Sequence, residues 1–169
     1  SSVGNVIEAV SSGQADFGLC FAKNLPASIE FTPLADDRYV AACRHDHPLA
    51  GRTHLSWQAY FEQDYIGLDR VSGNRTLLDR ELAHLTPARP SICETRHVTT
   101  MLGMVEAGIG IAAVPAMSMP AGEHSVLRAV PLTDPVVTRT VGLIRLSGRI
   151  QSYVAAELEK LIIEQYPSG

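Results

Sequence analysis

Two hydrophobic periods, one helical and one extended, alternate along most of this 169-residue chain, and few folds accommodate that pattern. Val3, Val6, Ile7 and Val10 fall at helical spacing, and Gly13 is placed to end the helix. Ala15, Phe17, Leu19 and Phe21 then alternate as in a strand. Ile29 to Leu34 and Arg38 to Arg44 read as two further strands, before His47-Pro48-Leu49-Ala50-Gly51 breaks the pattern. A short helix is expected around Trp57, Tyr60 and Phe61, then a strand over Asp64 to Leu68. A helix follows with Leu77, Leu78, Leu82 and Leu85 on one face, and a strand over Ser91 to Thr95. Val98, Met101, Leu102 and Val105 lie at i, i+3, i+4 and i+7, an amphipathic helix that Gly108 stops. Gly110 to Val114, Val126 to Leu132 and Arg139 to Arg145 read as strands. The last helix is expected from Ser152 to Gln165, with Val154, Leu158, Leu161 and Ile162 inward. Strands alternating with helices predict an α/β domain with largely parallel sheets. Such sheets bind ligands beyond the carboxyl ends of their strands, where helix N-termini also point.

Composition narrows the partners. Apolar residues make up 46% of the chain, enough for a core, and the formal net charge is −4. Holding nucleic acid needs clustered Lys and Arg, so this stretch alone is not expected to do it. No apolar run reaches the length of a membrane span and no signal peptide opens the chain, so no membrane partner and a cytoplasmic location are expected. Ser1-Ser2-Val3-Gly4 reads as a start inside a longer protein. Cys20, Cys43 and Cys93 each sit in apolar stretches and are expected as reduced, mostly buried thiols. Only Cys43, beside Arg44, has an adjacent cation to lower a thiol pKa, and no C-x-x-C occurs.

Motifs for catalysis are scarce. Gly108-Ile109-Gly110 follows a helix and opens a strand, the reverse of a dinucleotide fingerprint, and fits a tight helix-to-strand turn. His45-Asp46-His47, followed by Pro48, fits a turn leaving a strand better than a metal site. Neither G-x-S-x-G nor H-E-x-x-H is present. No enzyme activity, catalytic residue, metal or cofactor is therefore expected. Two strand-to-helix junctions are rich in hydrogen-bond donors. One is Asp69-Arg70-Val71-Ser72-Gly73-Asn74; the other is Thr95-Arg96-His97-Val98-Thr99-Thr100. Each offers hydroxyls, a cation and the N–H groups of a helix start, which suits a small carboxylate or other anion. Ordinary helix capping accounts for the same residues equally well.

Several segments together resemble the effector-binding (substrate-binding) domain of LysR-type transcriptional regulators. Val10-Ser11-Ser12-Gly13-Gln14-Ala15-Asp16-Phe17-Gly18-Leu19 is similar to the family's helix-then-strand signature. Leu34-Ala35-Asp36-Asp37-Arg38-Tyr39-Val40-Ala41 followed by His47-Pro48-Leu49-Ala50 resembles the strand leading to the family's HPLA. Met104 to Pro115, through Glu106-Ala107-Gly108-Ile109-Gly110, is the most specific piece, and Pro131-Leu132 through Arg139 to Ile144 resembles the last crossing strand. The order and spacing hold from about Val3 to Gln165.

The resemblance implies a periplasmic-binding-protein-like (type 2) fold of two α/β lobes with an interlobe cleft. Crossings are placed near Arg44 to Pro48 and Ile144 to Arg149. Residues 1–46 plus 146–169 would form lobe one and residues 47–145 lobe two. Relative to the family, a strand, a helix and a strand ahead of Val3 are missing, so lobe one is expected to be incomplete. It implies a small-molecule effector held by Ser72, Gly73, Asn74, Arg96, His97 and Thr99, with Phe21 and Ala22 at the opposite wall. DNA would be bound only through a winged helix-turn-helix absent from this sequence, by a homodimer or homotetramer. The chief alternative is the solute-binding protein of a transporter, which shares the fold. A redox-sensing regulator using Cys20, Cys43 or Cys93 is a variant of the first reading.

Overall fold

The computed structural model describes residues 3–21, 25–121 and 125–166. Five helices are α1 (Val3–Ser11), α2 (Trp57–Phe61), α3 (Gly73–Glu81), α4 (Val98–Glu106) and α5 (Tyr153–Gln165). The strands are β1 (Phe17–Phe21), β2 (Ile29–Arg44), β3 (Leu55–Ser56), β4 (Tyr65–Leu68), β5 (Cys93–Thr95), β6 (Ile111–Pro115), β7 (Leu127–Thr133) and β8 (Thr138–Leu146). Their contacts divide into two units. The first is drawn from the chain up to Asp37 and again from Arg139 onward; the second runs from Arg38 to Thr138.

In the first unit β1 pairs antiparallel with β8, from Phe17 opposite Arg145 to Phe21 opposite Val141, and β8 borders β2. Helix α1 lies tightly on β1: a Cβ on Gly18 would come within 2.5 Å of the Val6 side chain. Val10, Cys20, Ile29 and Ile144 form the buried centre, with Val6, Ile7 and Phe31 packed around them.

The second unit explains why β6 and the Tyr39–Cys43 part of β2 are apolar without a break. β2 pairs antiparallel with β6 through Tyr39–Ala42 and with β7 through Val40–Arg44, while β6, β4 and β5 run parallel. Both faces of this sheet are covered. Tyr39, Ala41, Cys43, Ile111 and Ala113 face one cluster with Trp57, Tyr60, Leu77 and Leu82. Val40, Ala42, Ala112 and Val114 face another with Met101, Leu102 and Val105. The period of two sends alternate residues to opposite cores, so every position from Tyr39 to Cys43 and from Ile111 to Pro115 is buried.

Four expectations need correcting. Ile29 to Arg44 is one strand of 16 residues, not two. The polar Asp36-Asp37 that suggested a gap is bonded across the sheet: Thr140 donates to Asp36 (2.7 Å) and Arg139 to Asp37. Second, the sheet is mixed, because β2 and β8 run antiparallel to several neighbours. Third, the units divide at 37/38 and 138/139, earlier than the expected 46/47 and 145/146, since the chain passes between them inside β2 and at the start of β8 rather than in the turns beyond. Fourth, α5 buries Ala155 and Glu159 while Val154, Leu158 and Leu161 are 74%, 49% and 55% exposed. The helix is anchored by polar contacts from Gln151 and Arg145 to Glu159, which turn its apolar stripe outward. The Gly108–Gly110 segment is the tight turn expected. Gly108 has φ +75°, and a Cβ on Gly110 would meet the Asp64 carbonyl oxygen at 2.5 Å.

Asp37 is fully buried, and the Arg139 guanidinium that pairs with it (2.8 Å) is 13% exposed. Removing one member of a buried pair leaves the other's charge less compensated. Arg139→Met is expected to cost about 3–5 kcal/mol of stability, read as a lower urea midpoint. A loss below about 1 kcal/mol would show that Asp37 is satisfied without it.

Candidate functional site

Parallel strands β4 and β5 end side by side, with Leu68 opposite Thr95, and each feeds a helix. This juxtaposition brings the two donor-rich junctions together. Asp69 N–H donates to the Thr95 carbonyl (3.0 Å), and Arg96 Nε lies 3.3 Å from Asp69 Oδ2. The first ladder bonds run from Thr76 N–H to the Ser72 carbonyl in α3 and from Met101 N–H to the His97 carbonyl in α4, both 3.1 Å. The N–H groups ahead of them point out of the helix starts, where negative charge is favoured. Ser72 and His97 hold the two cap positions, yet neither side chain bonds to its helix.

The expected contacts fare unequally. Ser72, Gly73, Asn74, Arg96, His97 and Thr99 all lie on these two adjacent turns. Gly73 is the exposed first residue of α3, and His97 and Thr99 are exposed. Among the described residues, the side chains of Ser72, His97 and Thr99 make no hydrogen bond, so their donors are available. Asn74 Oδ1 accepts from the buried Tyr39 hydroxyl (2.8 Å), which ties the start of α3 to β2. Arg96 is 64% exposed and its cation is shared with Asp69, whose Oδ1 is buried with no partner among the described residues. Sequence reasoning did not anticipate Asp69 as a competitor for Arg96. It sits 27 residues away, and only the pairing of β4 with β5 brings it near. Phe21 ends β1 in the first unit, with the Arg139 guanidinium 4.5 Å above its ring. Ala22 lies outside the described residues.

His45-Asp46-His47 is a turn: His47 N–H donates to the Arg44 carbonyl (3.0 Å), and His47 Nδ1 accepts from Leu49 N–H (3.2 Å). Asp46 takes two bonds of 2.9 Å from Arg44, which also donates to the Glu106 carbonyl (2.8 Å). The Arg44 hydrogen bonds hold the Asp46 carboxyl down to about 2, so the pair survives until the pH falls that far. Among the described residues no group of three His, Cys, Asp or Glu is placed to hold a metal, and no helix is long and apolar enough to cross a membrane.

The cysteines are free; Cys20 and Cys43 are buried and Cys93 is half-buried. Burial pushes both the Cys20 and the Cys43 thiols up. The cation that opposes this at Cys43 is Arg128, not the adjacent Arg44 expected from sequence, and it does not reverse the shift. A raised pKa lowers the thiolate fraction that reacts. With an aromatic disulfide reagent at pH 8, Cys93 is expected to label first, and Cys20 and Cys43 only as the chain unfolds, as followed by mass spectrometry. Early labelling of Cys20 or Cys43 would contradict this.

Comparison with known proteins gives one consistent picture. A family model described as the LysR substrate binding domain matches residues 1–167. The HTH-type transcriptional regulator YbhD of Escherichia coli K12 is 39% identical over 159 residues, covering 94% of this chain and 50% of that protein. The transcriptional activator protein LysR of the same organism is 33% identical over 107 residues, 63% of this chain and 34% of its own length. The chain thus spans about half the length of the curated relatives it matches along most of its length. Among solved structures, the effector binding domain of QuiR in complex with shikimate superposes with TM-score 0.80 at 22% identity, covering 98% of this chain and 78% of that one. The regulatory domain of Synechocystis PCC6803 CcmR in complex with 2-PG gives TM-score 0.83 at 16% identity, with 99% and 81% covered. These likenesses show the fold, that of the type 2 periplasmic-binding-protein-like effector domains.

Proposed function

Because the chain belongs to the LysR substrate binding domain family, we propose that it is the small-molecule-sensing domain of a DNA-binding transcription regulator. The relatives YbhD and LysR support this reading over that of a transporter's solute-binding protein. DNA is then read by a winged helix-turn-helix elsewhere in the full-length protein, which works as a homodimer or homotetramer. Its location as a regulator is cytoplasmic.

The effector in this proposal is a small carboxylate or other anion. One observation carries it: two helix starts meet at the ends of β4 and β5 with the Ser72, His97 and Thr99 side chains unspent. A carboxylate there gains charge-assisted hydrogen bonds from hydroxyls and N–H groups together. Asn74 contributes by fixing the turn through Tyr39, and Gly73 by leaving room beside its N–H. Arg96 has the weakest part, because Asp69 already claims its charge and exposed pairs contribute little. Binding then biases the regulator between conformations by as much as the ligand's affinity differs between them.

A thermal-shift screen of the chain against shikimate and other small carboxylates tests this. A true effector at 100 times its Kd stabilises the fold by about 2.7 kcal/mol. Ser72→Ala and Thr99→Ala are each expected to cost about 1.5–3 kcal/mol of binding, roughly ten- to a hundredfold in Kd, and Arg96→Ala less. An effector whose affinity neither Ser72→Ala nor Thr99→Ala changes would place its site elsewhere.

A further inference from the structure

The second unit holds a cavity of about 860 Å³ bounded by α2, β4, the inner side of α3 and the segment 83–91. Its lining includes none of Ser72, Gly73, Asn74, Arg96, His97 or Thr99. We propose that this groove is a second small-molecule site, taking a monocarboxylate with an aromatic or branched apolar body.

The apolar end comes from sequence clustering. Trp57, Tyr60 and Phe61 lie on one short helix and Tyr65 opens the next strand, so four rings gather with neighbouring centroids 5.2 to 6.0 Å apart. Leu78 on α3 and Leu82 at its C-cap line the groove with them, with Leu85 and Pro87 beyond. The segment 83–91 is held over these rings: the Tyr65 hydroxyl donates to the Arg89 carbonyl (3.0 Å), and Arg89 pairs with Asp64 (3.2 Å). Trp57, Tyr60, Tyr65 and Leu82 are themselves buried, so the apolar surface the groove offers is that of the half-buried Phe61, Leu78 and Leu85, backed by these rings. An apolar floor with a few placed polar groups is the usual composition of a small-ligand site.

Charge selects the ligand's other end. The lining carries Arg70, Arg75 and Arg89 against Asp79 and Glu94, three cations to two carboxylates, in a chain of net charge −4. Both carboxylates are engaged by one residue: Arg75 bonds Asp79 (2.7 Å), Glu94 (3.3 Å) and the Leu68 carbonyl (2.9 Å). With Arg89 on Asp64, Arg70 is left; it makes no hydrogen bond or ion pair with any described residue. Aromatic walls also attract cations, but Arg70, the one arginine of the lining without a carboxylate partner among the described residues, opposes a cation beside it. An apolar body against Phe61, Leu78 and Leu85 with a carboxylate reaching Arg70 satisfies both ends.

Trp57 is the chain's single tryptophan and lines the groove, so its emission reports occupancy. The probe is 3-phenylpropanoate, which does not absorb where tryptophan is excited selectively. On the 169-residue chain a saturable change in Trp57 emission is expected, weakened about tenfold in Arg70→Ala and about tenfold for the uncharged 3-phenylpropan-1-ol, a factor worth about 1.4 kcal/mol. Ser72→Ala, which belongs to the effector proposal, is expected to leave this titration unchanged, so either site can fail alone. Nuclear Overhauser contacts from the probe's ring to the Leu78 and Leu82 methyl groups provide a readout free of any substitution. No saturation below about 10 mM, a titration indifferent to Arg70→Ala, loss of binding in Ser72→Ala, or ring contacts only to other methyl groups would each overturn the proposal.

Discussion

Both units are built on one strand. β2 runs from Ile29 to Arg44 without a break, giving its first half to the sheet of β1 and β8 and its second half to β6 and β7. A strand that long must keep its middle from fraying, and the middle is where its acidic residues lie. Asp36 and Asp37 would interrupt a sheet if left bare, since a buried carboxylate without a partner is costly. β8 answers them in register with Thr140 and Arg139. Arg139 in turn lies over Phe21, so one guanidinium joins β1, β2 and β8. The division between units falls at this pair, after Asp37 and before Arg139. The residues that pass the chain from one unit to the other are thus the ones whose charges are matched inside the first.

The same economy of charge governs the paired turns. Two helix starts side by side create a positive field that the chain partly answers itself with Asp69. Asp69 is spread over a backbone N–H bond to Thr95 and an ion pair with Arg96, and this draws β5 against β4. What it does not consume are the Ser72, His97 and Thr99 side chains. An external anion must therefore compete with Asp69 for the field but not for these hydroxyls and imidazole. That ordering is the opposite of what a count of cations suggests, where Arg96 ranks first.

Much of this was legible from periodicity. The strand β6 and the helix α4 appear within a residue of their expected bounds, because Val98, Met101, Leu102 and Val105 leave one face to bury and Gly108 a defined place to stop. The two junctions were legible for the same reason, as each follows a strand and opens a helix. What escaped is what depends on register between distant segments. Nothing local tells that Arg139 will meet Asp37 across 102 residues, or that Asp69 will meet Arg96 across 27. The α5 error is of the same kind. Its apolar stripe through Val154, Leu158, Leu161 and Ile162 reads as a core face. Arg145 on β8 and Gln151 reverse that by offering Glu159 partners. The groove along α3 was hidden as well, since Leu78, Leu82 and Leu85 read as core whether or not they pack to completion.

Helix α3 belongs to both proposed sites at once. Its N-terminal end carries the cap Ser72 and Asn74, and about two turns further along lie Leu78 and, at the C-cap, Leu82. Nine residues make a rod of roughly 13 Å that moves as one piece more readily than it bends. Its attachments differ at the two ends: Asn74 is tied to Tyr39 of β2, whereas Arg75 is tied to the ends of β4 and β5 through Leu68 and Glu94. A ligand seated against Leu78 and Leu82 that changed how α3 rests on β4 would shift Ser72 without touching it. Linkage then requires the reverse, because a coupling free energy between two sites has one value whichever ligand arrives first. Any such coupling would have to run through the seat of α3, where the bond from Arg75 to the Leu68 carbonyl (2.9 Å) lies between Ser72 and the groove.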